Sequence, residues 1–302
     1  MSNEIKNEFI ENLVGRVGSV RRLPRTQSLY ETVDGSLRIY IRYSKLHRKK
    51  DNAFYGLRTE DLQQLQGHPS LLCFLWDEQK DPLIIPFSEY EEVLASTSAA
   101  GDGQYKVQVY IEPEGTQLYI ARAGRFNVDS CLGWDSLQTL ADSSNSQAIP
   151  TLSHSQVQTL LGAVGRAKGY DIWIPSNDRG RLDWSVARPF DCREIFPSGL
   201  ESIENIAEEV DVMWIRKGSN ELRGFFEVEH STPVYSALLR FNDILLSGAR
   251  IQPRFTVVSN EGRRDLYVRQ INRPTFQNSG LRETCTFLDY ANVYGWHKRL
   301  TA

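Results

Sequence analysis

The stretch VDVMWIRKGSNELRGFFEVEH, residues Val210–His230, determines the fold predicted for the carboxyl-terminal half of this chain. Its two outer segments, Val210–Ile215 and Gly224–Glu229, are short, apolar and rich in β-branched or aromatic side chains, which predicts two strands. The polar segment RKGSNE between them contains a glycine and is typical of a turn. The stretch therefore predicts a β-hairpin that turns near Ser219.

Helices and strands are predicted on both sides of this hairpin. Before it, a capping-box pattern at Ser153 and Gln156 opens an apolar helical repeat that ends at Gly169, and the apolar segment Tyr170–Ile174 predicts a strand. After the hairpin, Thr232 followed by Pro233 at the first helical position predicts the start of a helix. A strand is predicted at Arg254–Val258. The order helix, strand, strand, strand, helix, strand builds a mixed sheet flanked by helices.

A polar segment separates this half from the rest of the chain. In Ala141–Pro150, ADSSNSQAIP, small polar residues replace the periodic apolar pattern, so we expect two domains at residues 1–142 and 150–302. The first is expected to be a mixed, β-rich domain of the α+β or barrel-like kind. Its predicted strands are Leu37–Tyr43, Leu71–Trp76, Leu83–Ile85, Tyr105–Ile111 and Gln117–Ala121, and its predicted helices are Thr59–Gln66 and Ser88–Ala95.

Composition excludes several classes of protein. With 302 residues, of which 40% are hydrophobic, the chain can bury substantial cores. Its longest apolar runs are far shorter than the roughly 20 residues of a membrane helix, and its start lacks the apolar core of a signal peptide. The four cysteines are widely spaced without a CxxC pair, which argues against a zinc knuckle and a disulfide framework. We expect a cytoplasmic protein with reduced cysteines.

Three carboxylates are expected to converge on the hairpin. Because side chains alternate along a strand, Glu227 and Glu229 share one face. A turn near Ser219 places Asp211 across from Glu227 on the neighbouring strand. Carboxylates so close repel one another unless a divalent cation neutralises them, and oxygen ligands suit magnesium or manganese. The alternative is an ordinary solvent-facing acidic stripe.

The acidic strand pair and its flanking helices resemble the core of the PD-(D/E)XK nucleases. The resemblance covers about 135 residues, Ser153–Phe287. The segments that carry it are the helix HSQVQTLLGAVGRAKGY, the strands VDVMWI and FFEVEH, and the helix TPVYSALLRFNDIL. It implies a restriction-endonuclease-like core in the second domain.

The resemblance also implies roles for particular residues. In that family the first aspartate and the glutamate of an E-x-K motif hold metal ions that activate a water for attack on a phosphodiester, and these positions correspond to Asp211 and Glu227. Glu229 occupies the position of the lysine, as in a few restriction endonucleases, and Val210 replaces a proline. The resemblance thus implies that Asp211, Glu227 and Glu229 are catalytic, and that Asp211 and Glu227 bind Mg²⁺ or Mn²⁺.

Three further residues are candidates for this site. Gln158 stands on the first helix where many relatives carry an additional acidic ligand. His230 follows the carboxylates directly, although strand alternation turns it to the opposite face. Arg240 on the following helix could help to admit a phosphate backbone, or could simply be a solvated helix residue. His154, at the start of the first helix, is ambiguous in the same way.

Cations interleaved with an aromatic residue occupy one strand of the first domain. Their side chains share a face opposite two isoleucines, and a basic run continues beyond the strand. This pattern suits contact with a nucleic-acid backbone, although runs of charge are usually only solvated. The residues expected to contact DNA are Arg38, Tyr40, Arg42, Lys45, Arg48, Lys49 and Lys50.

These observations predict a magnesium-dependent DNA endonuclease of a restriction or phage-defence system, a type II-like metal-dependent phosphodiesterase. Its expected partner is double-stranded DNA, and a homodimer is one candidate assembly. An alternative is an inactive nuclease-like subunit that binds nucleic acid or serves in assembly, because Glu229 departs from the motif. A third alternative is a structural acidic patch without metal affinity.

Overall fold

The computed structural model describes residues 2–47, 51–144, 151–230, 233–247 and 254–301. Contacts divide the chain into two compact units, Met1–Ala148 and Ile149–Ala302. Residues 145–150 of the predicted boundary segment lie outside the described residues. All four cysteines are free thiols. In the part of the chain that the structure describes, no helix has the length and apolar character needed to cross a membrane.

The first unit is built mainly from strands. The strands are β1 (Val20–Arg22), β2 (Leu29–Thr32), β3 (Arg38–Ser44), β4 (Leu46–His47), β5 (Asn52–Arg58), β6 (Ser70–Trp76), β7 (Leu83–Pro86), β8 (Gln104–Glu112), β9 (Gly115–Ile120) and β10 (Gly124–Asn127), and the helices are α1 (Ser2–Val17), α2 (Thr59–Leu65), α3 (Phe87–Ser96) and α4 (Asp135–Ser144). Every strand and helix predicted here is present, and the mixed, β-rich character is confirmed.

Two five-stranded sheets share the main core of this unit. The first has the order β1-β2-β3-β6-β7 and pairs β3 with β6 in parallel, whereas the second, β10-β9-β8-β5-β4, is antiparallel. Tyr40 and Phe74 of the first sheet pack with Tyr55 and Val107 of the second. The opposite face of the first sheet packs on Leu13 of α1 and on α4. The described residues therefore form two packed sheets with outer helices, not a barrel.

This arrangement corrects part of the predicted DNA-contact strand. Strand β3 is central, and because both of its faces are covered, Arg38 and Tyr40 are only 2% and 0% exposed. Arg38 pairs with Glu31 at 2.9 Å and donates to the backbone oxygen of Gln64. Lys45 is exposed as expected. Alternation assigned the faces correctly, but the prediction that Arg38 and Tyr40 contact DNA is wrong because both side chains are buried.

The remaining predicted DNA contacts divide into two groups. Arg42 is partly exposed and donates from Nη1 to the Ser28 hydroxyl at 3.3 Å. Arg48, Lys49 and Lys50 lie outside the described residues. The expected basic surface is therefore represented in the structure by Arg42 and Lys45.

We expect Arg38→Ala to destabilise the protein. Its loss leaves the buried Glu31 with Arg21, which lies 2.8 Å from the other carboxylate oxygen. We therefore expect the free energy of unfolding to fall by about 1–3 kcal/mol, the range for leaving a buried polar group short of a partner. The larger loss that follows from a fully isolated buried charge is not expected. Urea denaturation monitored by circular dichroism measures this change in the free energy of unfolding. Lys45→Ala, at an exposed position, is the matched control. Equal stability of the two variants would show that the Arg38 pair contributes nothing.

The second unit contains one five-stranded sheet between two layers of helices. Its strands are β11 (Tyr170–Trp173), β12 (Val212–Arg216), β13 (Leu222–Glu229), β14 (Phe255–Ser259) and β15 (Cys285–Asp289), and its helices are α5 (His154–Ala167), α6 (Ser176–Arg179), α7 (Glu204–Ala207), α8 (Val234–Leu246), α9 (Arg264–Ile271), α10 (Pro274–Asn278), α11 (Leu281–Thr284) and α12 (Tyr290–Thr301). The sheet is mixed, because β11, β12 and β13 pair antiparallel and β13, β14 and β15 pair in parallel.

The predicted order of elements is confirmed from α5 to β14. The capping box is present, since the Ser153 hydroxyl accepts from the backbone of Gln156 while the Gln156 side chain accepts from Ser153. Helix α8 begins one residue later than predicted, with Pro233 as its N-cap, and Thr232 lies outside the described residues. The sequence prediction missed β15, α12 and the four short helices α6, α7, α10 and α11, together with α9.

Helix α5 lies very close to the sheet. A Cβ on Gly165 would approach the Trp214 indole nitrogen to 2.5 Å, and one on Gly162 would approach the Phe190 ring to 2.1 Å. These glycines allow α5 and α12 to pack with Trp214 and Phe226 on one face of the sheet. Helix α8 packs on the other face, against Phe225 and its neighbours. The hairpin is therefore held from both sides.

Candidate active site

The hairpin brings Asp211 and Glu227 together as predicted. Strands β12 and β13 pair with Val212 opposite Phe226, so the same register places Asp211, one residue earlier, opposite Glu227. The Asp211 carboxylate accepts a hydrogen bond from the backbone N–H of Val228 at 2.7 Å. Asp211 is thus fixed across the end of the hairpin.

Glu227 and Glu229 are buried. Their exposed fractions are 3% and 4%, and they share a strand face with Phe225, which packs into the core beneath α8. The alternative of a solvent-facing acidic stripe is therefore wrong, because a carboxylate on such a stripe would be hydrated. Buried carboxylates need compensating charge or hydrogen bonds.

Arg240 provides part of that compensation. This residue of α8 donates from Nη1 to Glu227 Oε1 at 2.6 Å. Burial raises the pKa of Glu227 well above its ordinary value, the charges of Asp211 and Glu229 raise that pKa further, and Arg240 acts in the opposite direction. The three carboxylates therefore interact electrostatically, and one arginine does not cancel the cost of the buried Glu227 charge.

Two residues of α5 hold Asp211 from the other side. Gln158, only 1% exposed, donates from Nε2 to the Asp211 backbone oxygen at 2.9 Å and lies 3.5 Å from Asp178. Its amide nitrogen therefore acts as a donor here. His154 Nε2 lies 3.4 Å from Asp211 Oδ1, and this hydrogen bond raises the pKa of His154 against the effect of burial. Both side chains position the aspartate.

His230 contacts a tyrosine of helix α12. Its ring stacks on that of Tyr290 with centroids 6.0 Å apart, and its Nδ1 lies 3.4 Å from the tyrosine hydroxyl. Arg263 donates to the backbone oxygens of Glu229 at 3.1 Å and His230 at 2.8 Å. Burial raises the pKa of Tyr290, and the charges of Glu229 and Asp211 raise it further, while Arg263 lowers it. Tyr290 and Arg263 were missed because they lie 60 and 33 residues beyond His230.

A fourth acidic side chain, Asp289, lies at the same edge of the sheet. Glu229, Ser259 and Asp289 are neighbours at the carboxyl ends of three parallel strands. The Asp289 carboxylate accepts from the backbone N–H and the side-chain amide of Asn292, at 2.8 and 2.7 Å. These contacts cap the start of α12, so a structural role accounts for Asp289.

The carboxylates do not form a ready-made metal site. Among the described residues, no group of three or more His, Cys, Asp or Glu side chains is arranged to hold a metal ion. The oxygens of Asp211 and Glu227 are instead engaged by Val228, His154 and Arg240. The donor chemistry nevertheless fits a divalent cation, because the oxygens are hard ligands and a cation would relieve the repulsion from Asp211 that adds to the effect of burial on the pKa of Glu227.

Comparison with known proteins identifies relatives of the second unit. A family model described as “Type II restriction enzyme NmeDI C-terminal domain” matches residues 138–298, slightly more than half of the chain. The Type II restriction enzyme NmeDI of Neisseria meningitidis serogroup C is 29% identical over 135 residues, which are 41% of this chain and 38% of that enzyme. The matched region thus spans well under two thirds of the relative. No solved structure matches the chain significantly.

Proposed function

Because the chain belongs to the family of the NmeDI C-terminal domain, we propose that it is a restriction-type DNA endonuclease. The observation that carries this proposal is the convergence of Asp211 with the buried Glu227 and Glu229, inside the region that matches the family. Buried like charges are costly and persist where function requires them. Duplex DNA is the proposed substrate, and phosphodiester hydrolysis is the proposed reaction.

The PD-(D/E)XK core remains part of this proposal. It is supported by the confirmed order of α5, β11, β12, β13, α8 and β14, and by the register that sets Asp211 opposite Glu227. Asp211 and Glu227 are the proposed ligands of Mg²⁺, or of Mn²⁺ in its place, and the bound ion supplies charge for the phosphate and acidity for a water.

The residues of the chain have distinct tasks in this proposal. Glu229 orients the attacking water and holds its proton. Arg240, now hydrogen-bonded to Glu227 at 2.6 Å, neutralises charge on the substrate phosphate. His154 and Gln158 keep Asp211 in position through its carboxylate and its backbone oxygen. Hydrolysis places the water oxygen on phosphorus and releases the sugar oxygen of the broken bond, which takes up a proton.

A second candidate function is an inactive nuclease-like subunit that binds nucleic acid or serves in assembly. Two observations favour it. Glu229 occupies the position where the motif has a lysine, and Arg240 already neutralises part of the charge on Glu227. In that case the carboxylates are a retained structural cluster. A homodimer stays a prediction, which light scattering on the purified protein tests.

The cleavage assay separates the two functions. Purified protein is incubated with supercoiled plasmid, single-stranded DNA and RNA, each with magnesium, manganese or EDTA. We expect cleavage of the duplex with either metal and none in EDTA. Binding of duplex DNA without cleavage under all conditions would favour the inactive subunit that binds nucleic acid. A protein that shows neither binding nor cleavage would contradict both the endonuclease and the nucleic-acid-binding subunit, and would leave only the role in assembly.

We expect Mg²⁺ to bind the parent protein and to bind Asp211→Asn and Glu227→Gln much more weakly, because each variant removes a charged oxygen ligand. Isothermal titration calorimetry measures the affinity without requiring activity. The matched control is Glu221→Gln on the turn of the same hairpin, where the carboxylate is exposed and pairs with Arg216 and Arg223. Equal magnesium affinity in all four proteins would remove Asp211 and Glu227 from the metal site.

A further inference from the structure

Three cations converge on the edge of the first sheet in the amino-terminal unit. Lys6 of α1 donates from Nζ to the backbone oxygen of Gln27 at 2.7 Å, and Arg42 of β3 donates to the hydroxyl of the next residue, Ser28, at 3.3 Å. Arg22 of β1 is exposed and pairs in register with Tyr30, over whose ring the Lys6 ammonium lies at 5.3 Å. Three elements distant in sequence thus bring positive charge to one place.

No carboxylate balances this cluster in the described residues. Lys6, Arg22 and Arg42 form no ion pair there, unlike Arg21, which is the neighbour of Arg22 and pairs with Glu31. The Nε–H of Arg42 is buried and has no hydrogen-bond partner among the described residues. The buried Nε–H is closed to a ligand, so the positive charge that an oxyanion would meet is that of the partly exposed Arg42 guanidinium and of the exposed Arg22.

The electrostatics of Lys6 agree with the geometry. Burial lowers the pKa of Lys6, and the charges of Arg42 and then Arg22 lower it further. This repulsion of Lys6 by both arginines agrees with the contacts that place Lys6 and Arg42 at the adjacent residues Gln27 and Ser28. Exposed lysines and arginines remote from one another would not affect each other in this way.

We propose that Lys6, Arg22 and Arg42 form a binding site for a backbone phosphate of duplex DNA. The inference rests on the proposed function, which supplies DNA as the substrate. It shares Arg42 with the surface predicted from sequence, from which only the buried Arg38 and Tyr40 are removed. The cluster offers charge and N–H donors, and such contacts position a duplex without reading its sequence.

The test measures the salt dependence of duplex binding by fluorescence anisotropy. The measurement is made in EDTA so that binding is separated from cleavage. We expect Arg22→Gln and Lys6→Gln each to weaken binding severalfold and to make the slope of log K against log salt shallower, by at most the value of about 0.9 that belongs to one neutralised phosphate. Lys6→Arg keeps the charge and should keep the slope. The matched control is Arg125→Gln, which loses the same net charge from an exposed arginine paired with Glu112.

Three outcomes are informative. Shallower slopes for Arg22→Gln and Lys6→Gln, relative to Arg125→Gln, support the site. If the parent binds and cleaves DNA but these variants match Arg125→Gln, the phosphate site is wrong and the proposed function stands. If the parent binds no duplex DNA, both are wrong. Because Arg22 is exposed, its variant should retain the parent's melting temperature, which confirms that folding is intact.

Discussion

Asp211→Asn and Glu227→Gln should each reduce single-turnover DNA cleavage by more than about a thousandfold, or roughly 4 kcal/mol of barrier. Both substitutions keep the size of the side chain and one oxygen, so Asp211→Asn can still accept from the Val228 backbone and Glu227→Gln can still accept from Arg240. What each loses is the negative charge that holds a divalent cation. The effect should therefore fall on chemistry and not on folding.

The stability of these variants distinguishes a functional site from a structural cluster. Burial and the Asp211 charge raise the pKa of Glu227, so its charged form is disfavoured in the folded protein. Glu227→Gln removes that charge, and we expect a melting temperature in EDTA no lower than that of the parent. Glu221→Gln, from the exposed turn of the same hairpin, should cleave at the parent's rate. Full activity of Asp211→Asn or Glu227→Gln would refute the site.

The hairpin could be predicted because its information is local. Alternation along Gly224–Glu229 sets the face of the two glutamates, and the position of the turn sets the register, which places Asp211 opposite Glu227 in the structure. The capping pattern at Ser153 similarly depends on adjacent residues and was confirmed. Local patterns therefore determined the element order and the central carboxylate pair.

Contacts between distant elements could not be predicted from local sequence patterns. The pairing of Arg240 with Glu227 and of His154 with Asp211 depends on how α8 and α5 pack on the sheet. The placement of Tyr290 requires β15 and α12, neither of which was predicted. These residues carry no local signal that separates them from ordinary helix residues.

Strand β3 of the first unit illustrates a different limit of prediction from sequence. The alternation of Arg38 and Tyr40 with apolar residues identified a shared face, but a sequence pattern does not show whether that face is covered. Strand β5, which was not predicted, contributes Tyr55 and Leu57 to the core that buries Tyr40. Helix α1 was missed because few of its residues are buried, among them Phe9 and Leu13. Lys6 on this helix could therefore not be connected with Arg42 from sequence.

Glu229 is the position at which the enzyme and the inactive subunit predict different results. It is 4% exposed, and its charge acts on Glu227, His154 and Tyr290. If Glu229 orients the attacking water, Glu229→Gln should slow single-turnover cleavage by more than about tenfold, or roughly 1.4 kcal/mol of barrier. Glu229→Ala should be slower still, because it removes the oxygen atoms as well as the charge.

Glu229→Lys tests whether the lysine of the motif can take the place of Glu229. The substitution introduces the residue that the motif carries, and its ammonium would lie near the carboxylates of Asp211 and Glu227, so some activity should return relative to Glu229→Ala. The Gln, Ala and Lys variants are compared at equal folded fraction, set by circular dichroism, because a buried cation can also destabilise. An active parent that is indifferent to Glu229→Gln would remove this residue from the mechanism. A parent inactive on every nucleic acid with either metal, yet able to bind duplex DNA, would favour the inactive subunit, since Glu229 would then have no turnover to support.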